Sequence, residues 1–232
     1  MSHTSYYTVV VPAAGVGKRM LADRPKQYLN IAGKTLLEHT LENLYRHPKI
    51  NRVVLVLNPQ DPYFSQIPIA KAPWLDIVDG GEQRCDSVLA GLNSVSSSQS
   101  WVLVHDAARP CFEHGDLDKL LHLADSGEIG GILASRVRDT MKRSGNTGMV
   151  LHTEPRANLW HALTPQFFPL LQLRNALKQA LQDQIEITDE ASAIEYCGGQ
   201  VRLIEGSSNN IKVTKPEDLQ LAEFYLRKME NP

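Results

Sequence analysis

Runs of consecutive apolar residues alternate along this chain with stretches whose apolar positions recur every three or four residues. The runs at 6–11, 52–57 and 101–105 are short and rich in valine, the pattern of strands buried on both faces of a parallel sheet. Between the first two, Leu36, Leu37, Thr40, Leu41 and Leu44 share one helical face over 34–46, and Pro48 closes that helix. The first unit is therefore strand, helix, parallel strand. The same reasoning predicts a strand at 75–78, a helix from Gln83 through Val88, Leu89 and Leu92, a helix over 116–126 and a strand over 130–135.

After 135 the pattern changes. The stretch 136–160 carries Arg138, Asp139, Thr140, Lys142, Arg143 and Arg156 around a Ser-Gly-Asn-Thr-Gly turn at 144–148, too polar for a core. It predicts a long β-hairpin projecting from the sheet, either a solvated surface arm or a dimerisation arm that carries cations to a partner subunit. The spacing then predicts an amphipathic helix over 165–182 and a helix capped by Thr188 with acids in its first turn, running to Tyr196. A strand at 201–205, an extended segment at 209–213 and a final helix over 215–229, with Pro216 in its first turn, complete the chain. Strands alternating with helices predict one three-layer α/β/α domain over 1–232, Rossmann-like, on a mostly parallel sheet with a β-arm at about 136–160.

Composition narrows the partners. The 232 residues, 42% of them hydrophobic, suffice for a substantial core. A net charge of −2 and a pI near 6.4 provide no global basic field, which argues against nucleic acid and anionic membrane. Any phosphate binding has to be local. Cys85, Cys111 and Cys197 are odd in number and lack a CxxC pair, which argues against a disulfide framework and for a reducing cytoplasm. The N-terminus lacks a charged leader and long apolar core, and no run reaches membrane-spanning length, so a soluble protein is expected.

Candidate chemistry clusters where strands end. After the first strand come Pro12, Ala13, Ala14, Gly15, Val16 and Gly17, then Lys18, Arg19 and, seven residues further, Lys26. Small residues let the backbone approach a ligand, exposed N–H groups bind anions, and two fixed cations suit a polyphosphate. The loop is not a Walker A motif, since Lys18 is followed by Arg19, nor a dinucleotide fingerprint, since Met20 stands at the third glycine. Its other reading is an ordinary βα turn. Gly80-Gly81 forms a second such turn, and Asp106 and Arg109 follow the strand at 101–105, the edge where open α/β sheets bind ligands. Asp106 reads either as a helix cap or, beside a phosphate cradle, as a Mg²⁺ ligand.

The segments PAAGVGKRM, PKQY, DGGEQR, DSVLAGL, VHDAARP, DTMKR, LWHALTPQ, TDEASAIEY and NIKVT together resemble the 2-C-methyl-D-erythritol 4-phosphate cytidylyltransferase family over nearly the whole chain. The resemblance implies a homodimeric, Mg²⁺-dependent enzyme that joins CTP to methylerythritol phosphate in the non-mevalonate isoprenoid pathway and releases pyrophosphate. It assigns Ala13, Ala14, Gly15, Gly81, Glu82 and Ser87 to the cytidine pocket and Arg19 and Lys26 to the triphosphate, and makes Arg19, Lys26 and Lys212 the catalytic cations. Asp106 corresponds to the metal-associated carboxylate, which also borders nucleotide and acceptor, and Arg109, Thr188 and Lys212 to groups around the substrate. Thr140 and Arg156 correspond to arm residues that reach the acceptor across a dimer interface. Where the family often has Asp-Asn-Ile-Lys, this chain has Asn209-Asn210-Ile211-Lys212, which puts a second metal contact in question. The rival readings are a ribitol 5-phosphate cytidylyltransferase and a CTP-sensing subunit without turnover.

A phosphate monoester is largely a dianion at neutral pH and needs no general base to attack phosphorus. The expected site accordingly offers Arg, Lys and Mg²⁺ without a catalytic dyad, and His105 and His161 read as structural.

Overall fold

Alternate side chains of the valine-rich strands enter two different cores, and this divides the molecule into layers. In the computed structural model, which describes residues 5–15, 24–96, 100–126 and 130–230, strand β1 is Tyr7–Pro12. Its Val9 and Val11 pack into one cluster with Leu37, Leu41 and Leu44 of α1 (Leu36–Tyr45) and Leu117, Leu120 and Leu121 of α3 (His114–Leu121). Val10 faces the other way, with Val88 and Leu92 of α2 (Arg84–Ser94), Leu173 and Leu177 of α5 (Leu170–Gln182) and Ile194 of α6 (Glu190–Tyr196). Helices therefore cover both faces of the sheet, the arrangement that continuous apolar strands require. Each such fully buried Val, Leu or Ile contributes roughly 1.5–3 kcal/mol relative to exposure.

The sheet has seven strands. Besides β1 they are β4 (Ile50–Leu57), β5 (Leu75–Asp79), β6 (Trp101–Val104), β7 (Gly131–Arg136), β10 (Trp160–Pro169) and β11 (Arg202–Glu205), in the order β11-β7-β10-β6-β1-β4-β5. All pairings are parallel except those of β10 with β6 and β7. Two short strands, β2 (Asn30–Ile31) and β3 (Lys34–Thr35), form a ribbon before α1. Thr35 caps α1 in a reciprocal box with Glu38, so the helix begins two residues later than its periodicity suggests.

The helix expected over 165–182 begins five residues later. Residues up to Pro169 belong to β10, and α5 begins at Leu170. Phe167 enters one core cluster and Phe168 the other, which is strand alternation, and Pro169 occupies the N-cap position of α5. The expected helix at 116–126 is two pieces, α3 and α4 (Leu123–Ser126), divided at His122. The cap of α6 is Asp189 instead of Thr188: its carboxylate accepts from Ser192 N at 2.9 Å, a bond either residue type can make. Residues 209–213 join no sheet, and Val213 N donates to Ala108 O at 2.9 Å. The last helix, α7 (Pro216–Glu230), packs Ala222 and Leu226 against Ala108 and Val213.

The hairpin is present as β8 (Met141–Ser144) and β9 (Val150–Glu154), paired only with each other. Both strands are exposed apart from half-buried Glu154, and Met149, Val150 and Leu151 are 71%, 59% and 66% exposed. Its tip is thus more apolar than the charged residues around it suggest.

Candidate active site

Three strand ends converge on one cleft. Past β1, Ala13 N donates to Val56 O at 2.8 Å, and the buried Gln27 amide donates to Ala13 O at 2.9 Å and Gly15 O at 3.2 Å. That side chain pins the small-residue turn in place. Past β5, Gly80 N donates to Leu57 O at 2.7 Å and Gly81 N to Ser87 Oγ at 3.2 Å. A Cβ on Gly80 would lie 2.7 Å from Ala14 Cβ and 2.9 Å from Ser87 Oγ, so glycine is what lets the two turns meet. Past β6 stands Asp106, whose own N–H donates to Thr164 Oγ1 at 3.1 Å. The ladder between β10 and β7 is irregular between Ala162 and Gln166, and this bulge aims Thr164 at Asp106.

The cleft holds about 240 Å³ and is lined by Ala13, Ala14, Gly15, Lys26, Gly81, Glu82, Ser87, Asp106 and Lys212, together with Gln27, Gln83 and Arg84. Nine of the residues singled out from sequence therefore share one cavity. Arg109 lies just behind it, with Nε 3.4 Å from Asp106 Oδ2 and Nη1 donating to Asn210 O at 2.7 Å. Thr188 is exposed and precedes α6. Thr140 and Arg156 are on the arm side: Arg156 donates to Arg138 O and lines a separate depression with Arg136 and Ser208. Arg19, with Gly17 and Lys18, lies outside the described residues.

Charge is the organising feature. Asp106 Oδ2 accepts from Lys212 Nζ at 2.8 Å, while Oδ1 accepts from Arg84 Nε at 3.3 Å and Nη2 at 3.2 Å. Arg84 Nη1 also donates to Glu190 Oε1 at 2.6 Å. Burial alone would raise the Asp106 pKa, but the charges of Arg84 and Lys212, the Lys212 hydrogen bond and Arg109 outweigh it and hold the carboxyl well below its usual range. Arg84 is held above its ordinary range, because Glu190 and Asp106 outweigh its own burial. Lys26 Nζ reaches Val213 O at 2.9 Å on the same cavity wall. Of the charged residues lining the cleft, the three cations Lys26, Arg84 and Lys212 outnumber the two acids Glu82 and Asp106, and buried Arg109 and Glu190 behind it balance each other. Such a site suits a polyanion.

His105 is fully buried, with Nε2 2.9 Å from Arg109 O and Nδ1 3.0 Å from Thr164 Oγ1. Facing a carbonyl, Nε2 carries the proton, and Nδ1 accepts from the threonine hydroxyl. Burial pushes its pKa down to about 4, so it stays neutral and shaped, with no proton to exchange at the cleft.

Among the described residues no three His, Cys, Asp or Glu side chains form a metal cluster. Asp106 is the carboxylate that a cation would share with bound phosphate oxygens, but Arg84, Lys212 and Arg109 already pair with its two oxygens, so a cation there would have to displace one of them. Asn209, at the questioned position, donates its side-chain amide to Glu113 Oε1 at 3.5 Å and does not line the cleft.

Comparison with known proteins agrees with this geometry. Residues 7–228 match the IspD family, 2-C-methyl-D-erythritol 4-phosphate cytidylyltransferase. The chain belongs to that family. A cytidylyltransferase so named from Pseudoalteromonas atlantica is 65% identical over 227 residues, covering 98% of each chain. One from Photorhabdus laumondii is 59% identical, covering 94% of this chain and 93% of that one. The crystal structure of the Francisella tularensis family member superposes with a TM-score of 0.81 at 34% identity, covering 95% of this chain and all of the other. That of Thermus thermophilus gives 0.80 at 32%, covering 96% and 99%.

Sequence reasoning missed Gln27, Arg84, Thr164, Glu190 and Asn210, which the fold brings to the cleft or to Asp106 and Arg109 beside it. Arg84 and Glu190 were inside the quoted motifs, but each has an ordinary local reading, a first-turn residue of a helix. Only their mutual contact, across 106 positions of sequence, marks them as site residues.

Proposed function

We propose that this cleft transfers the cytidylyl group of CTP to 2-C-methyl-D-erythritol 4-phosphate, giving the diphosphocytidyl product and pyrophosphate in isoprenoid biosynthesis. The observation that carries the reading is a cleft between two small-residue turns in which Lys212 and Arg84 pair with the ionised Asp106 and Lys26 lines the same wall, in a member of this family. The acceptor phosphate oxygen attacks the α-phosphorus of CTP in line. The bond from α-phosphorus to the bridging oxygen breaks, and pyrophosphate leaves with that electron pair. Negative charge grows on the α-phosphoryl oxygens and the leaving group, where preorganised cations act.

In this reading Ala13, Ala14, Gly15, Gly81, Glu82 and Ser87 surround the cytidine, and Arg19 and Lys26 hold the triphosphate. Lys212 and Arg109 orient the acceptor phosphate together with Thr188. Asp106 would hold Mg²⁺, which would supply charge neutralisation at the phosphates. One domain over 1–232 carries the site, in the cytoplasm; Cys85, Cys111 and Cys197 are all unpaired, and no helix among the described residues is long and apolar enough to cross a membrane.

The test is pyrophosphate release from each of CTP, UTP, ATP and GTP with Mg²⁺, with methylerythritol phosphate and ribitol 5-phosphate as acceptors. Release from CTP with methylerythritol phosphate alone is expected. Release with ribitol phosphate alone moves the chain to another acceptor, and silence with every pair removes catalysis.

The arm at 136–160 extends this reading to a homodimer. Thr140 and Arg156 do not line their own chain's cleft, and the apolar residues Met149, Val150 and Leu151 are exposed on the hairpin. Both facts support an arm that completes the neighbouring subunit's site. Mixing an Arg156→Ala chain with a Lys26→Ala chain is then expected to regain activity, since one site of each hybrid dimer is intact. Proven subunit exchange without recovery would rule out action in trans.

A further inference from the structure

Arg84 stands at the first position of α2, and no step of the transfer has yet used it. Its guanidinium is shared between two carboxylates. One edge, Nε and Nη2, faces Asp106 Oδ1 at 3.3 and 3.2 Å; the other, Nη1 and Nη2, faces Glu190 Oε1 and Oε2 at 2.6 and 3.2 Å. Glu190 is 1% exposed, so water cannot replace Arg84 as its counterion. A buried carboxylate without a partner is costly, so Glu190 holds the guanidinium, itself still 31% exposed, in place. Its planar fork then presents donors to Asp106 in one orientation.

Asp106 divides its oxygens accordingly. Oδ1 is taken by Arg84, and Oδ2 by Lys212 at 2.8 Å and Arg109 at 3.4 Å. Lys212 lies in a stretch that joins no sheet or helix, so its ammonium depends on the Asp106 contact for its place. Turning the Asp106 carboxylate would carry Lys212 with it. Arg84 also joins two parts of the site: the turn with Gly81 and Glu82 leads into α2, and Thr188 lies just ahead of α6, which Glu190 begins.

We propose that Arg84 is a positioning residue for the transfer: anchored by Glu190, it fixes the Asp106 carboxylate and through it the direction in which Lys212 faces the reacting phosphates. This rests on the cytidylyl-transfer reading of the same cleft. Arg84 acts through Asp106 and need not touch substrate.

The test uses the full chain as wild type, Arg84→Gln, Arg84→Lys, Glu190→Gln and the double variant Arg84→Gln/Glu190→Gln. Pyrophosphate release is measured against CTP and methylerythritol phosphate, with thermal midpoints in parallel. Arg84→Gln is expected to lower kcat about tenfold or more while KM for CTP changes less than about threefold, the split left by a misplaced transition-state donor. Arg84→Lys keeps the charge but loses the fork and restores less than half of the loss. Glu190→Gln lowers kcat by a smaller factor, and the double variant is no slower than Arg84→Gln, since both act through one guanidinium.

A folded Arg84→Gln with wild-type kcat overturns the proposal, as does a loss confined to the thermal midpoint. Should Arg84→Gln not fold, wild-type kcat in both Arg84→Lys and Glu190→Gln overturns it equally. A wild-type chain that releases no pyrophosphate sinks the transfer reading itself, whereas an active wild type with unaffected variants sinks only the positioning role.

Discussion

Lys26→Ala lowers kcat for pyrophosphate release at least about 10²-fold, equivalent to roughly 2.7 kcal/mol of transition-state stabilisation. Lys26 begins a short 3₁₀ turn, Lys26–Tyr28, beside the small-residue loop, and its ammonium lies on the wall of the cleft, 2.9 Å from Val213 O. Charge that develops as pyrophosphate departs needs a cation already in place, and the alanine variant has none at that point. The fold is expected to survive, because the turn is held by neighbours that remain: Gln27 bonds Ala13 O and Gly15 O, and the Tyr28 hydroxyl bonds Asp61 at 2.8 Å. A loss of activity without a drop in thermal midpoint is therefore the predicted pattern. Steady-state kinetics at saturating CTP, run beside a melting curve, distinguishes the outcomes. Turnover near that of wild type would remove Lys26 from the mechanism.

Acidification destabilises the fold before its carboxylates titrate, and His105 is responsible for much of the effect. In the folded chain its pKa is pushed down to about 4 by burial, from an ordinary 6.5. The unfolded chain therefore binds a proton at His105 below 6.5 while the native chain does not, so the contribution is present above that value and is lost as the pH falls toward 4. Linkage arithmetic puts the loss at about 2 kcal/mol between roughly pH 7 and pH 5. His47, also driven downward by burial, adds in the same direction. Asp106 acts in the opposite range: its depressed pKa gives stability that is lost only in stronger acid, below the ordinary carboxylate range. Denaturant unfolding at several pH values measures the slope. His105→Gln should be less stable near neutrality yet lose less on acidification, and an unchanged slope in that variant would show that other groups carry it.

The apolar runs alone determined β1, β4 and β6, because a strand buried on both faces leaves a local signature in its own residues. The same holds for the helical faces of α1 and α2 and for the placing of Ala13–Gly15, Gly81 and Asp106 at strand ends, since turn glycines and polar residues interrupt the runs there. Periodicity reports how much of a segment is buried, not which segment it pairs with. Residues 160–169 show why that matters: two phenylalanines between two prolines fit a helix start as well as a strand, and only the space between β6 and β7 selects the strand. That choice brings Thr164 to Asp106 and His105. Arg84 and Glu190 likewise carry no sign of their partnership, since 106 residues separate them and each is an unremarkable first-turn residue within its own helix. The chemistry of the cations was readable from their types and loops, but the orientation of Lys212 was not. It follows from which carboxylate oxygen Arg84 has already taken, and only the folded chain makes that contact.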